Sequence, residues 1–149
     1  MCGLEEHEVP HRITYSKTAF MNWKLIFRLS LFGLAMGVIS IWLPANIEPL
    51  FWLAIFIFCS YQVAKNCSGN YFLHGLCISL MNCVWITAFH IIFYKPYLLN
   101  HAQEAQMMTK MPMPDSPRLM MLLFAPVVGI LSGIVLGLFC FIASKIIKK

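Results

Sequence analysis

Three groups of residues in this 149-residue chain have types and spacings that chemistry could use. The first is rich in thioethers. Six of the ten methionines fall between Met107 and Met121, and His101 lies just upstream. Thioethers are soft ligands that select Cu(I), so His101, Met107, Met108, Met111 and Met113 are candidate copper ligands. The plainer expectation is that flexible methionines fill irregular gaps where a loop lies against a membrane surface. The second group is Ser79, Asn82 and His90, polar side chains on a stretch without Lys, Arg, Asp or Glu. The third is Cys2, His7 and His11. Its histidines are four apart, but Pro10 between them opposes the regular helix that would place both on one face. The six cysteines show no repeated short spacing. Those at 59, 77, 83 and 140 sit in apolar surroundings, where a cysteine acts as a small packing residue. No Gly-rich phosphate loop, Gly-x-Ser-x-Gly nucleophile motif or pair of carboxylates within an apolar stretch is present, so nothing points to enzymatic chemistry or to a cofactor.

The elements that must position these residues follow from composition. The chain is 60% hydrophobic and 11% charged, against about 25% charged for a soluble domain. Its apolar residues fall in long blocks rather than at the spacing of half-buried helices, which implies lipid as the solvent. Four blocks stand out, at about residues 23–43, 50–64, 71–94 and 119–147. Roughly 20 residues at about 1.5 Å each cross a hydrocarbon layer of about 30 Å. The expected fold is all-α, a polytopic membrane protein with four transmembrane helices over 23–149. A cytoplasmic segment over 1–22 precedes them, and an outer loop spans 95–118. Lys95 and Pro96 are expected to end the third helix, and 97–108 to add a short helix before Pro112, Pro114 and Pro117 extend the chain. No alternation of polarity suggests barrel strands.

Orientation follows from Lys and Arg. Arg12, Lys17, Lys24, Arg28, Lys65, Lys145, Lys148 and Lys149 fall on one side, and only Lys95, Lys110 and Arg118 on the other. The positive-inside rule therefore places both termini in the cytoplasm. Basic residues at membrane edges also account for the formal net charge of +5 without a nucleic-acid partner. The first block lacks a small-residue cleavage site and reads as an uncleaved span. Gly3 is one place too late for myristoylation. The sequon Asn66-Cys67-Ser68 would face the cytoplasm and is taken as chance.

Two patterns concern packing. Gly129, Gly133 and Gly137 recur every four residues with Ala125 one step earlier. Such a stripe lets two helix backbones approach, within the chain or between subunits. Gly33 and Gly37 repeat the spacing and are expected to dock on the fourth helix. On the third helix Gly75, Ser79, Asn82, Cys83 and His90 fall within an arc of roughly 100° and should face inward. Asn82 and His90 are costly in hydrocarbon unless bonded or wetted.

The short second span, the polar turn from Lys65 to Asn70, the aromatic and Gly75 opening the third span, and a Gly-rich last span ending in lysines together resemble a family of uncharacterised small bacterial four-helix membrane proteins. The resemblance covers residues 25–149, implies a bacterial inner membrane, and supplies no activity. The leading functional expectation is a non-enzymatic structural, accessory or assembly subunit. Its partners would be the lipid bilayer and either further copies of the chain or another membrane protein. The alternative is a transporter or channel subunit that uses Ser79, Asn82 and His90, with copper handling by the Met-rich loop as a variant.

Overall fold

A computed structural model describes residues 20–110 and 115–147. Among them the chain is all-helical. The helices are α1 (Trp23–Ile39), α2 (Glu48–Asn66), α3 (Tyr71–Ile92), α4 (Tyr94–Asn100), α5 (Ala102–Thr109) and α6 (Pro117–Ile147). The helices α3 and α6 are long and apolar enough to cross a membrane. With 22 and 31 residues, they measure about 33 and about 46 Å at helical rise. At 17 residues α1 is shorter, although turn-type hydrogen bonds carry the chain on to Leu43. The 19 residues of α2 include Glu48, Gln62, Lys65 and Asn66 near its ends.

Local chemistry sets the helix ends. The Asn22 side chain caps α1 by accepting from Leu25 N–H at 3.1 Å. Asn70, at φ 53°, turns the chain from α2 into α3, a left-handed conformation that asparagine tolerates better than most residues. The third helix ends at Ile92, earlier than Pro96 requires. Pro96 instead sits in the first turn of α4, where its missing N–H would have had no helical partner. Residues 97–108 form two short helices that break at His101. Pro117 opens α6, and Pro126 lies within it, leaving the Leu122 carbonyl without its usual helical donor. Pro112 and Pro114, like Cys2, His7 and His11, lie outside the described residues.

The long helices run alternately up and down, with α3 flanked by α6 on one side and α1 on the other. Small residues make both approaches possible. A Cβ on Gly75 would lie 2.7 Å from the Cα and N of Gly137, and one on Gly33 would lie 2.5 Å from the Cα of Asn82. Gly129 and Gly133 meet Cys83 and Leu76 of α3, so the glycine stripe of α6 is occupied within the chain. Gly33 and Gly37 meet Asn82, Ile86 and Phe89. The expectation that this pair docks on the fourth helix is therefore corrected: α3 stands between α1 and α6 and takes both glycine faces.

The remaining long helix, α2, packs mainly on α6. Its buried residues, Cys59, Ser60, Val63 and Ala64, all lie in its C-terminal half. Of these, Cys59 and Val63 join Ile26, Leu29, Ile78, Leu136 and Cys140 in the main apolar core. The N-terminal half of α2 buries none of its side chains, and the bundle is loose at that end.

Gly75→Ala should cost about 1–3 kcal/mol, because its methyl group would meet the α6 backbone at Leu136 and Gly137, which cannot yield without moving the helix. Gly133→Ala should cost less, since its Cβ would meet the Cδ1 tip of Leu76, a side chain that can rotate. Val135, exposed on α6, supplies the control Val135→Leu, expected within about 0.5 kcal/mol of the parent. Thermal unfolding in mild detergent checks the order, and equal stability of Gly75→Ala and Val135→Leu would rule out this helix contact.

Candidate functional site

The polar face of α3 is largely satisfied by its neighbours. Ser132 donates to Val128 O at 2.8 Å, which leaves its oxygen free to accept from Ser79 Oγ at 2.7 Å. The Cys83 thiol donates to Ala125 O at 2.9 Å. His90 Nε2 lies 2.8 Å from Ser40 Oγ, joining the far ends of α3 and α1. Asn82 differs. It is 2% exposed, and neither its amide nitrogen nor its oxygen has a hydrogen-bond partner among the described residues. Its side chain is pressed against Gly33.

Ser79, Asn82, Cys83 and His90 line a cleft of about 750 Å³ between α2, α3 and α6. The cleft exists because the N-terminal half of α2 stands away from α3. Trp52 and Phe56 supply the α2 wall, and Phe124, Val128 and Phe139 the α6 wall. Phe56 meets Phe139 edge-on at 6.3 Å between ring centres. A mostly apolar cavity of this size with a few polar groups on one wall has the character of a small-molecule site.

The end of the cleft nearest α4 and α5 is different in chemistry. The Tyr97 ring is stacked between His90, at 3.9 Å, and His101, at 4.3 Å. Its hydroxyl donates to Glu104. Glu48 comes to the same place from the first turn of α2, where it accepts from Trp52 Nε1 at 3.2 Å. Burial first, then the hydrogen bond and charge of Glu104, then the charge of Glu48, raise the Tyr97 phenol above its ordinary pKa of 10.0. His101 donates through Nδ1 to Tyr97 O at 3.0 Å, which places its proton on that nitrogen. Its Nε2 is buried without a partner among the described residues.

The Met-rich segment is only partly within the described residues. Met107 is exposed, and Met108 receives the Tyr94 hydroxyl at 4.0 Å. His101 is buried against Tyr97. Met111 and Met113 lie outside the described residues. Among the described residues no group of three or more His, Cys, Asp or Glu is placed to hold a metal ion.

Sequence reasoning overlooked Ser40, Glu48, Tyr97 and Glu104. Tyr97, His101 and Glu104 stand at i, i+4 and i+7, a one-face helical spacing within the stretch 97–108 expected to be helical. Glu48 carries no local signal of its destination. His74 was also unremarked, yet its Nδ1 donates to Asn70 O at 2.8 Å while Nε2 accepts Asn22 N–H at 3.0 Å. One neutral imidazole thus ties the start of α1 to the start of α3.

No family model, curated protein or solved structure matches the chain.

Because the folded state raises the Tyr97 pKa, its contribution to stability is complete below about pH 10 and is lost as pH rises through the higher folded value. Tyr97→Phe should therefore be less stable than the parent by about 1 kcal/mol at neutral pH, the usual worth of one hydrogen bond. The gap should narrow steadily in the alkaline range. Thermal unfolding of both proteins across that range provides the check, and a gap independent of pH would place the phenol in solvent.

Proposed function

We propose that this chain is an integral membrane protein of four spans, α1, α2, α3 and α6, with both termini in the cytoplasm of a bacterial inner membrane. It works there as a non-enzymatic accessory subunit. The observation that carries this reading is the distribution of polarity. The interior holds Ser30, Ser40, Ser60, His74, Ser79, Asn82 and Ser144 together with the contact glycines. The exterior presents large apolar side chains on every long helix, among them Phe27 and Leu31 on α1, Leu53 and Ile57 on α2, Val84 on α3, and Leu131 and Ile142 on α6. Such exposure far exceeds the scattered apolar residues of a water-soluble surface and suits lipid contact.

The alternating course of the helices supports the orientation. Lys24, Arg28, Lys65 and Lys145 collect at the end where Asn22 meets His74, while Lys95, Lys110 and Arg118 belong to the other end. In sequence, Arg12 and Lys17 precede α1 and Lys148 and Lys149 follow α6, so the proposed orientation assigns eight basic residues to the cytoplasmic side and three to the other, the bias that directs an end inward.

A second reading, a transport or channel role, is favoured by the cleft beside Ser79, Asn82 and His90. A cavity within one protomer offers a place for a small molecule without requiring a pore through an oligomer.

Cysteine introduced at exposed positions tests the orientation in living cells, with the unsubstituted chain as background for the native thiols. Ala45→Cys, between α1 and α2, should react with a membrane-impermeant maleimide in intact cells. Ser68→Cys, between α2 and α3, should react only after permeabilisation. Equal labelling of both positions in intact cells, or the reverse pattern, would overturn the proposal.

A further inference from the structure

We propose that the cleft between α2, α3 and α6 binds a lipophilic organic cation, its charged end held between Glu48 and Glu104 and its apolar body lying along Trp52, Phe56 and Phe124. The proposal rests on the membrane reading only for the side from which the ligand arrives. The binding chemistry follows from the cleft itself.

The choice of a cation follows from the charges that line the cleft. Glu48 and Glu104 come from different helices and converge beside Tyr97, whose phenol both carboxylates influence. Among the described residues no Lys or Arg lines the cleft. Each carboxylate accepts one hydrogen bond, from Trp52 and Tyr97 respectively. Neutral donors leave a carboxylate's charge uncompensated, and an uncompensated charge at the edge of an apolar cavity attracts a counter-charge more strongly than it would in water. An anionic amphiphile such as a fatty acid would meet repulsion at the same place.

The choice of an apolar body follows from the walls. Aromatic rings, the thioethers of Met108, Met120 and Met121, and aliphatic side chains make up most of the lining. Thioether side chains adapt to ligands of different outline, and aromatic faces attract organic ammonium groups in addition to burying hydrocarbon. Asn82, which lines the cleft and is buried without a partner among the described residues, adds one polar group that a ligand's own polar atom could engage after a side-chain rotation. A hydrated metal ion would waste these walls, which makes an organic cation the better match in shape and in charge.

The test uses the full chain in zwitterionic-lipid nanodiscs and three probes that share a hydrocarbon tail: dodecyltrimethylammonium, dodecanol and dodecanoate. Binding is read from Trp fluorescence and thermal shift, with empty nanodiscs subtracting partition into lipid. The parent should bind the ammonium probe at least about tenfold more tightly than dodecanol, and dodecanoate least, as expected when a partly desolvated charge is matched rather than left unpaired. Glu48→Gln with Glu104→Gln should remove the preference for the cation and retain weak binding of dodecanol. Val128→Trp, which fills the cleft from a side chain that is half exposed, should weaken all three probes without unfolding the protein. If dodecanol binds as tightly as the ammonium probe, or the double variant keeps the preference, the cleft is a general acyl-chain site and the proposal is wrong. Absence of saturable binding of any probe would overturn it as well. The maleimide labelling pattern is independent of all three results, so failure of the membrane orientation and failure of the cation site are distinguished.

Discussion

Where Gly75 of α3 meets Gly137 of α6, the two backbones come so close that a Cβ on the first would lie 2.7 Å from the Cα of the second. In the lipid solvent proposed for this chain, hydrophobic burial gives helices little reason to associate, so close approach, dispersion and polar contacts between helices must supply the cohesion. That one contact sets the axis of the bundle. With α6 held against one flank of α3, α1 takes the other through Gly33, and the hydrogen bonds Ser79 to Ser132, Cys83 to Ala125 and His90 to Ser40 fall into place along the same two seams.

Close packing on two sides of α3 has a consequence on the third. The last long helix, α2, is anchored on α6 and on the core near Cys59 and Val63, and so stands away from α3 toward its own start. The resulting cleft combines a polar α3 wall, apolar α2 and α6 walls, and two carboxylates at the end covered by α4 and α5. A rigid pair of seams beside a loosely filled space divides the labour of a small bundle: the seams maintain the fold, and the space remains available to a ligand.

Much of this was legible in the residues. Blocks of apolar sequence mark the long helices, as expected where no polar face interrupts a helix, and α3 and α6 begin and end within a few residues of the blocks that announce them. Four-residue spacing puts Gly129, Gly133 and Gly137 on one stripe, and 100° per residue brings Ser79, Asn82 and His90 together. The partner of a stripe is another matter. Gly33 and Gly37 advertise a close contact, but which helix they meet depends on how all four pack, and α3 rather than α6 receives them. The meeting of Glu48 with Tyr97 and Glu104 joins residues some fifty positions apart across three elements, and no local pattern encodes it. The cleft itself is a gap between helices, a property of packing rather than of any residue type.

The approach of α3 to α6 is measured most directly by solid-state NMR of the glycine-labelled chain in lipid bilayers, where only eight glycines contribute. A cross-peak between the Cα atoms of Gly75 and Gly137 is expected at short mixing times, and it should persist when labelled protein is diluted into unlabelled protein, because the contact lies within one chain. A peak that disappears on dilution would assign the stripe to an interface between copies, and no peak at all would contradict the close contact on which the arrangement of the bundle depends.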